Sequence, residues 1–163
     1  MGRRSWSIVM VCALLAGTIA LTASPAHALT SIESCFFSAM NRERAAVGHR
    51  KLALYSDLTA IARRHSQRMA EDGTIYHNKN LGNEVGGNWY TAGENVGMGP
   101  SCKSIHDAFM SSPGHRSNIL DTDYNQAGVG VAIRDDTIYV TEVFAGRRAL
   151  RHHVVAPVRR ASR

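Results

Sequence analysis

Four side chains between residues 77 and 142 have the types that metal or acid–base chemistry needs: His77, Glu94, His115 and Glu142. Imidazoles and carboxylates are standard zinc ligands, and a catalytic zinc keeps one position open for water. His77, His115 and Glu94 are the candidate metal ligands. Their separation is wide, and no His-Glu-x-x-His, paired Cys-x-x-Cys or Gly-x-Ser-x-Gly pattern accompanies them. Ser66 and Ser112 lack a recognisable oxyanion arrangement, so a serine hydrolase is disfavoured. Cys35 and Cys102 are the two cysteines beyond residue 28. In an oxidising compartment they most simply form one disulfide, with two buried free thiols as the alternative.

All four groups sit at the ends of elements or in a glycine-rich segment, so those elements set the geometry. Thr30-Ser31-Ile32-Glu33 is a capping-box pattern that opens a helix expected to run to about Ala46 and stop at Gly48. Ser56 is a good N-cap for a second helix, which buries Leu58, Ile61, Ala62, His65 and Met69 and stops near Gly73. Arg63, Arg64 and Arg68 fall on its wet side. Residues 73–100, rich in glycine and asparagine, read as irregular, with a short strand over Thr91–Val96 and glycines at turn positions. A third helix is expected from Ser101 to about Met110, and Pro113 opens a helical turn to Leu120. Two β-rich runs, Ala127–Ile133 and Thr137–Phe144, flank a turn at Arg134-Asp135-Asp136. The order predicts one α+β domain with a small antiparallel sheet covered by helices.

The chain ends point to export. Arg3 and Arg4, an uncharged apolar run from Ile8 to about Ala20, and Ala26-His27-Ala28 read as a signal peptide over residues 1–28. The formal net charge is +6. Arg3 and Arg4 contribute two of it and the six arginines of residues 147–163, with no acid among them, contribute six, so residues 29–146 carry −2. The basicity is thus a tail, read as a solvated terminus able to contact anionic surfaces. Export and a near-neutral domain argue against nucleic acid as a partner.

Several ordered motifs resemble one family. Asn41-Arg42, Leu52, Leu58, the run Ala62–Ala70 and His77 resemble the first half of a CAP domain, the superfamily of cysteine-rich secretory proteins, antigen 5 and plant pathogenesis-related proteins. Gly93-Glu94-Asn95-Val96 is similar to its Gly-Glu-Asn element. Ser112 to Leu120 resembles the signature of its bacterial, SCP-like branch, and Gly128–Val131 with Tyr139–Phe144 its closing strands. The resemblance covers about residues 31–146 and implies a CAP-type α-β-α sandwich over residues 29–146, in a secreted protein. It also implies a cleft able to hold zinc or another divalent metal. His77 and Glu94 match the first cleft histidine and glutamate. The second glutamate falls at Ser112 and the second histidine at Tyr139, so that Tyr139 and Thr141 take the cleft face of the last strand. His115 belongs to the bacterial signature and projects into the cleft or caps the broken helix.

Strand alternation puts Tyr139, Thr141 and Val143 on one face and Glu142 on the other. There Glu142 is expected to be a structural carboxylate paired with an arginine, because an unpaired buried charge is too costly. His65 reads as a satisfied core histidine, whereas His49, His106, His152 and His153 read as exposed. The functional expectation is a monomeric, non-catalytic binding module for a lipid, cell-envelope or protein ligand. The alternative is a metal-assisted hydrolase of peptide or cell-wall bonds, with Glu94 as general base.

Overall fold

The computed structural model describes residues 28–87 and 89–147. The expected signal peptide and the arginine-rich tail lie outside these residues, save their boundary residues Ala28 and Arg147. Thr30 opens the first helix as its sequence predicts. Its hydroxyl accepts the Glu33 amide while the Glu33 carboxylate accepts the Thr30 amide. That helix is α1 (Ser31–Ala46). Next come β1 (Ala53–Leu54), α2 (Ser56–Asp72), α3 (Leu81–Val85) and β2 (Trp89–Gly99). The chain continues through α4 (Cys102–Ser111), α5 (Pro113–Leu120), β3 (Gln126–Arg134) and β4 (Thr137–Arg147). The strands lie in the order β1-β3-β4-β2. β2, β4 and β3 are antiparallel, but β1 joins β3 in parallel, so the sheet is mixed rather than wholly antiparallel.

Helices cover both faces. Leu58, Ile61 and Ala62 of α2 pack on Val143 and Ala145, while Met69 and Ala70 meet Val96, Ala132 and Tyr139. On the other face Phe36 and Met40 of α1, with Ile105 and Phe109 of α4, bury Val129, Val140 and Phe144. The alternation along β4 is therefore the expected one. Cys35 and Cys102 are joined in a disulfide that ties α1 to α4. Among the described residues no helix is long and apolar enough to cross a membrane.

Residues 73–100 are more ordered than their composition suggests. They contain α3, and β2 is eleven residues long rather than a short strand. Gly93, Gly97 and Gly99 are strand residues; among the described residues of this segment the glycines with positive φ are Gly73, which ends α2, and Gly86 and Gly87. Their missing side chains make room instead: a Cβ at Gly97 or Gly99 would meet Phe109 or Ile105 of α4. On the opposite face Gly128 and Gly130 lie against the backbone of α2, at Leu58–Thr59 and Ala62–Arg63. Asp135 and Asp136, with φ of 47° and 58°, form the two-residue hairpin turn between β3 and β4.

Charged groups expected on the surface turn out to be structural. Arg63 is half-buried and grips Glu33 with two bonds, of 2.7 and 2.6 Å, so α2 holds the N-terminus of α1. Burial pushes the Glu33 carboxyl up, but its bonds to Arg63 and Thr30 outweigh this and hold it below the ordinary value. Arg44, 1% exposed, donates to the carbonyls of Arg50, Ile119, Asp121 and Tyr124. His106 is buried between α4 and α1, 3.7 Å from Glu43, and burial depresses its proton affinity. It is a core residue, not an exposed one, and His49 is half-buried beside the Leu120 carbonyl.

The close seating of α2 on β3 gives a direct test. Gly130→Ala drives a methyl group into the α2 backbone, and overpacking of this kind costs about 1–3 kcal/mol or more. Urea unfolding is expected to show a lower midpoint at unchanged m.

Candidate functional site

The candidate site grows from the Gly-Glu-Asn run in the middle of β2, where each residue type has its own reason. Gly93 is small because Tyr124 lies over it. Glu94 turns toward the α2 face, and Asn95 toward the opposite one, as alternation requires. Glu94 is 7% exposed. Its Oε1 accepts from His77 Nδ1 and from the Asn78 amide, both at 2.9 Å. Its Oε2 has no hydrogen-bond donor and lies 4.0 Å from His65 Nε2.

This geometry assigns the His77 tautomer. A carboxylate accepts, so Nδ1 carries the proton and Nε2 of the neutral ring keeps its lone pair. His77 is 65% exposed, with Glu94 behind it. Together they form a carboxylate-backed imidazole at a cleft of about 490 Å³ between α2 and the 73–80 segment. His65, Arg68, Tyr76, Asn78 and Glu84 line the rest of it. His65 Nε2 bonds the Tyr76 carbonyl at 2.6 Å, so it is the satisfied core histidine its position predicts, while also flooring the cleft.

A second groove, of about 350 Å³, lies between the outer edge of β2 and α4, and His115 lines it. The His115 ring packs on Phe109, with centroids 4.8 Å apart. Burial lowers its proton affinity, and a charge on His77 would lower it further.

The expected site residues thus separate into groups. His77 and Glu94 are in direct contact, and His115 stands near His77 on the wall of the adjoining groove. Tyr139 and Thr141 share the Glu94 face, but they are buried beneath α2 and line neither opening. Thr141 instead accepts from Ser66 Oγ at 2.9 Å. Among the described residues no group of three or more His, Cys, Asp or Glu side chains is arranged to hold a metal ion. His77, His115 and Glu94 therefore do not form one ligand set, because Glu94 supports His77 from behind. The residues present do not fit a closed zinc site.

Glu142 is also placed differently from expectation. It is 0% exposed and pairs with no arginine among the described residues; its Oε2 accepts from Asn95 Nδ2 at 3.0 Å. Burial pushes its carboxyl up to about 8, so it is neutral at pH 7. Asn95 Nδ2 also donates to the His115 carbonyl, and Asn118 Nδ2 donates to both Asn95 Oδ1 and the Glu94 carbonyl. The sequence reading missed Asn118 and Asn95 as positioning groups. The available signal was the two asparagines within the motifs of the family resemblance.

Comparison with known proteins agrees with this architecture. The chain belongs to the cysteine-rich secretory protein family, CAP, whose pattern matches residues 37–145. It is 28% identical over 134 residues to the uncharacterized protein YkwD of Bacillus subtilis, covering 77% of this chain. This chain spans about half, 51%, of that protein's length. Its fold is similar to an outer surface protein of Borrelia burgdorferi, with a TM-score of 0.65 at 17% identity over 71% of this chain and 92% of that one. It is also similar to an extracellular SCP-domain protein of Bacillus anthracis, with a TM-score of 0.62 at 23% identity over 71% and 40%. A Staphylococcus aureus cysteine-rich secretory protein gives 0.59 at 24% identity over 71% and 38%.

Glu142 makes stability depend on pH. The folded chain keeps its proton up to about pH 8, whereas the unfolded chain releases it near 4.5. Between those values unfolding releases a proton, so stability falls as pH rises, by at most about 1.4 kcal/mol per unit. Glu142→Gln is expected to flatten the melting-temperature profile in that interval and to raise the melting temperature most near its upper end. Thermal unfolding across a pH series measures this.

Proposed function

We propose that this chain is a secreted, non-catalytic binding module that receives a small ligand or a divalent cation at His77. The bond from His77 Nδ1 to the buried Glu94 carboxylate carries the reading. A carboxylate behind an imidazole fixes its tautomer, orients it and makes it a better ligand. His115 supplies a second imidazole nearby. Two imidazoles are fewer than the three protein ligands of a catalytic zinc, so a bound cation keeps positions for donors from its own ligand. Placement outside the cell is supported by the signal-like first 28 residues and by the disulfide, which suits an oxidising compartment.

Calorimetric titration of the mature chain with zinc tests the proposal. Micromolar binding is expected in the wild type, lost in His77→Ala and weakened in His115→Ala. In Glu94→Gln it should weaken about 10–100-fold, the usual effect of removing a supporting carboxylate. Zinc binding that survives His77→Ala, or none in the wild type, would reject the His77 site for cations.

A further inference from the structure

Among the described residues β2 is an edge strand, paired on one side with β4 and with no strand on the other. The ladder fixes which of its backbone groups face outward. Ala53 and Tyr55 donate to the carbonyls of Asn125 and Ala127, so those residues point toward β1 and Gln126 and Gly128 point toward β4. Alternation then directs Val143 and Thr141 of β4 to β3, and Glu142, Val140 and Ile138 to β2. Their partners Asn95, Gly97 and Gly99 spend their backbone groups on β4. Glu94, Val96 and Met98 are left facing away from the sheet. The Glu94 carbonyl confirms the parity, because Asn118 of α5 caps it. Among the described residues no group pairs with the outward amides and carbonyls of Val96 and Met98.

Natural edge strands are usually blunted by lysine, proline or a cover. Here the stretch Asn95–Gly99 is uncharged, and Pro100 follows only after it ends. The second groove lies along this stretch. Ile75 and Met98, 42% and 43% exposed, line it together with Ile105, Ala108, Phe109 and His115. No acid, lysine or arginine lines it.

We infer that the Val96–Met98 edge of β2 docks an extended peptide that adds one strand to the sheet. The backbone selects this occupant. Outward donors and acceptors two residues apart recur at about 7 Å, the repeat of a β-strand. A polypeptide matches both donor and acceptor at that repeat; an acyl chain matches neither. The apolar, uncharged walls select a segment with uncharged side chains, in the manner of strand-addition domains where main-chain bonds give affinity and flanking pockets give specificity. The inference does not rest on the His77 site.

The experiment uses the ¹⁵N-labelled mature chain and the peptide acetyl-Thr-Val-Ala-Val-Thr-amide, beside its analogue N-methylated at alternate amides. In the free protein the Val96 and Met98 amides are expected to exchange with solvent faster than those of Gly97 and Gly99. Added peptide should shift the Val96 and Met98 resonances and slow their exchange at least tenfold. The N-methylated peptide should bind at least tenfold more weakly, and Ala108→Trp, which fills the groove from the α4 surface, should reduce binding similarly. His77→Ala should leave binding unchanged. Equal binding of both peptides would overturn strand addition, showing an apolar groove only, and so would the absence of shifts at Val96 and Met98.

Discussion

The side-chain amide of Asn95 is the point on which the site depends. It lies in the middle of an edge strand, fully buried, with both polar atoms engaged by three residues, one on β4 and two on α5. One donor reaches Glu142 on the neighbouring strand, another contact reaches the α5 backbone, and its oxygen holds Asn118. A buried amide left unpaired is costly, so these bonds act together in fixing how α5 sits on the sheet. Strand alternation does the rest. With Asn95 locked toward α5, Glu94 is turned to the α2 side, where it meets His77.

A neutral Glu142 is what makes this arrangement tolerable. A charged carboxylate with a single amide donor would be heavily penalised at such depth, whereas the protonated acid keeps a hydrogen-bonding pattern close to that of an amide. The polar layer between α5 and the sheet is thus uncharged throughout at neutral pH. The charge of the site is confined to the opposite face, around His77 and the cleft rim.

How much of this was legible in the sequence depends on the range over which each signal acts. The capping box of α1, the glycine stop of α2, the proline start of α5 and the aspartate pair in the β3–β4 turn act within a few residues and read correctly. Ser56, by contrast, is not the N-cap of α2 but its first helical residue, after Tyr55 at the cap. The length of β2 did not read, because strand glycines that make room for Phe109 and Ile105 look the same as turn glycines until α4 is placed over them. Arg44 and Arg63 were equally opaque: the carbonyls that Arg44 holds on and after α5 lie 75 to 80 residues downstream, and a lone arginine on a helix resembles a solvated one. His77 and Glu94 stood out through the family resemblance. Their contact needed the fold, as did the displacement of Tyr139 and Thr141 from the opening into the space beneath α2.

The glycines of β3 have a further consequence for how the cleft behaves. With Gly128 and Gly130 pressed against its backbone, α2 rests directly on β3 there, while its apolar side chains pack on β4. A helix seated in this way has little freedom to slide or rock, and Arg63 clamps it to α1 as well. One wall of the cleft is therefore rigid before any ligand arrives. A ligand of the proposed kind would meet a preset shape along that wall, and little conformational entropy would be lost there on association.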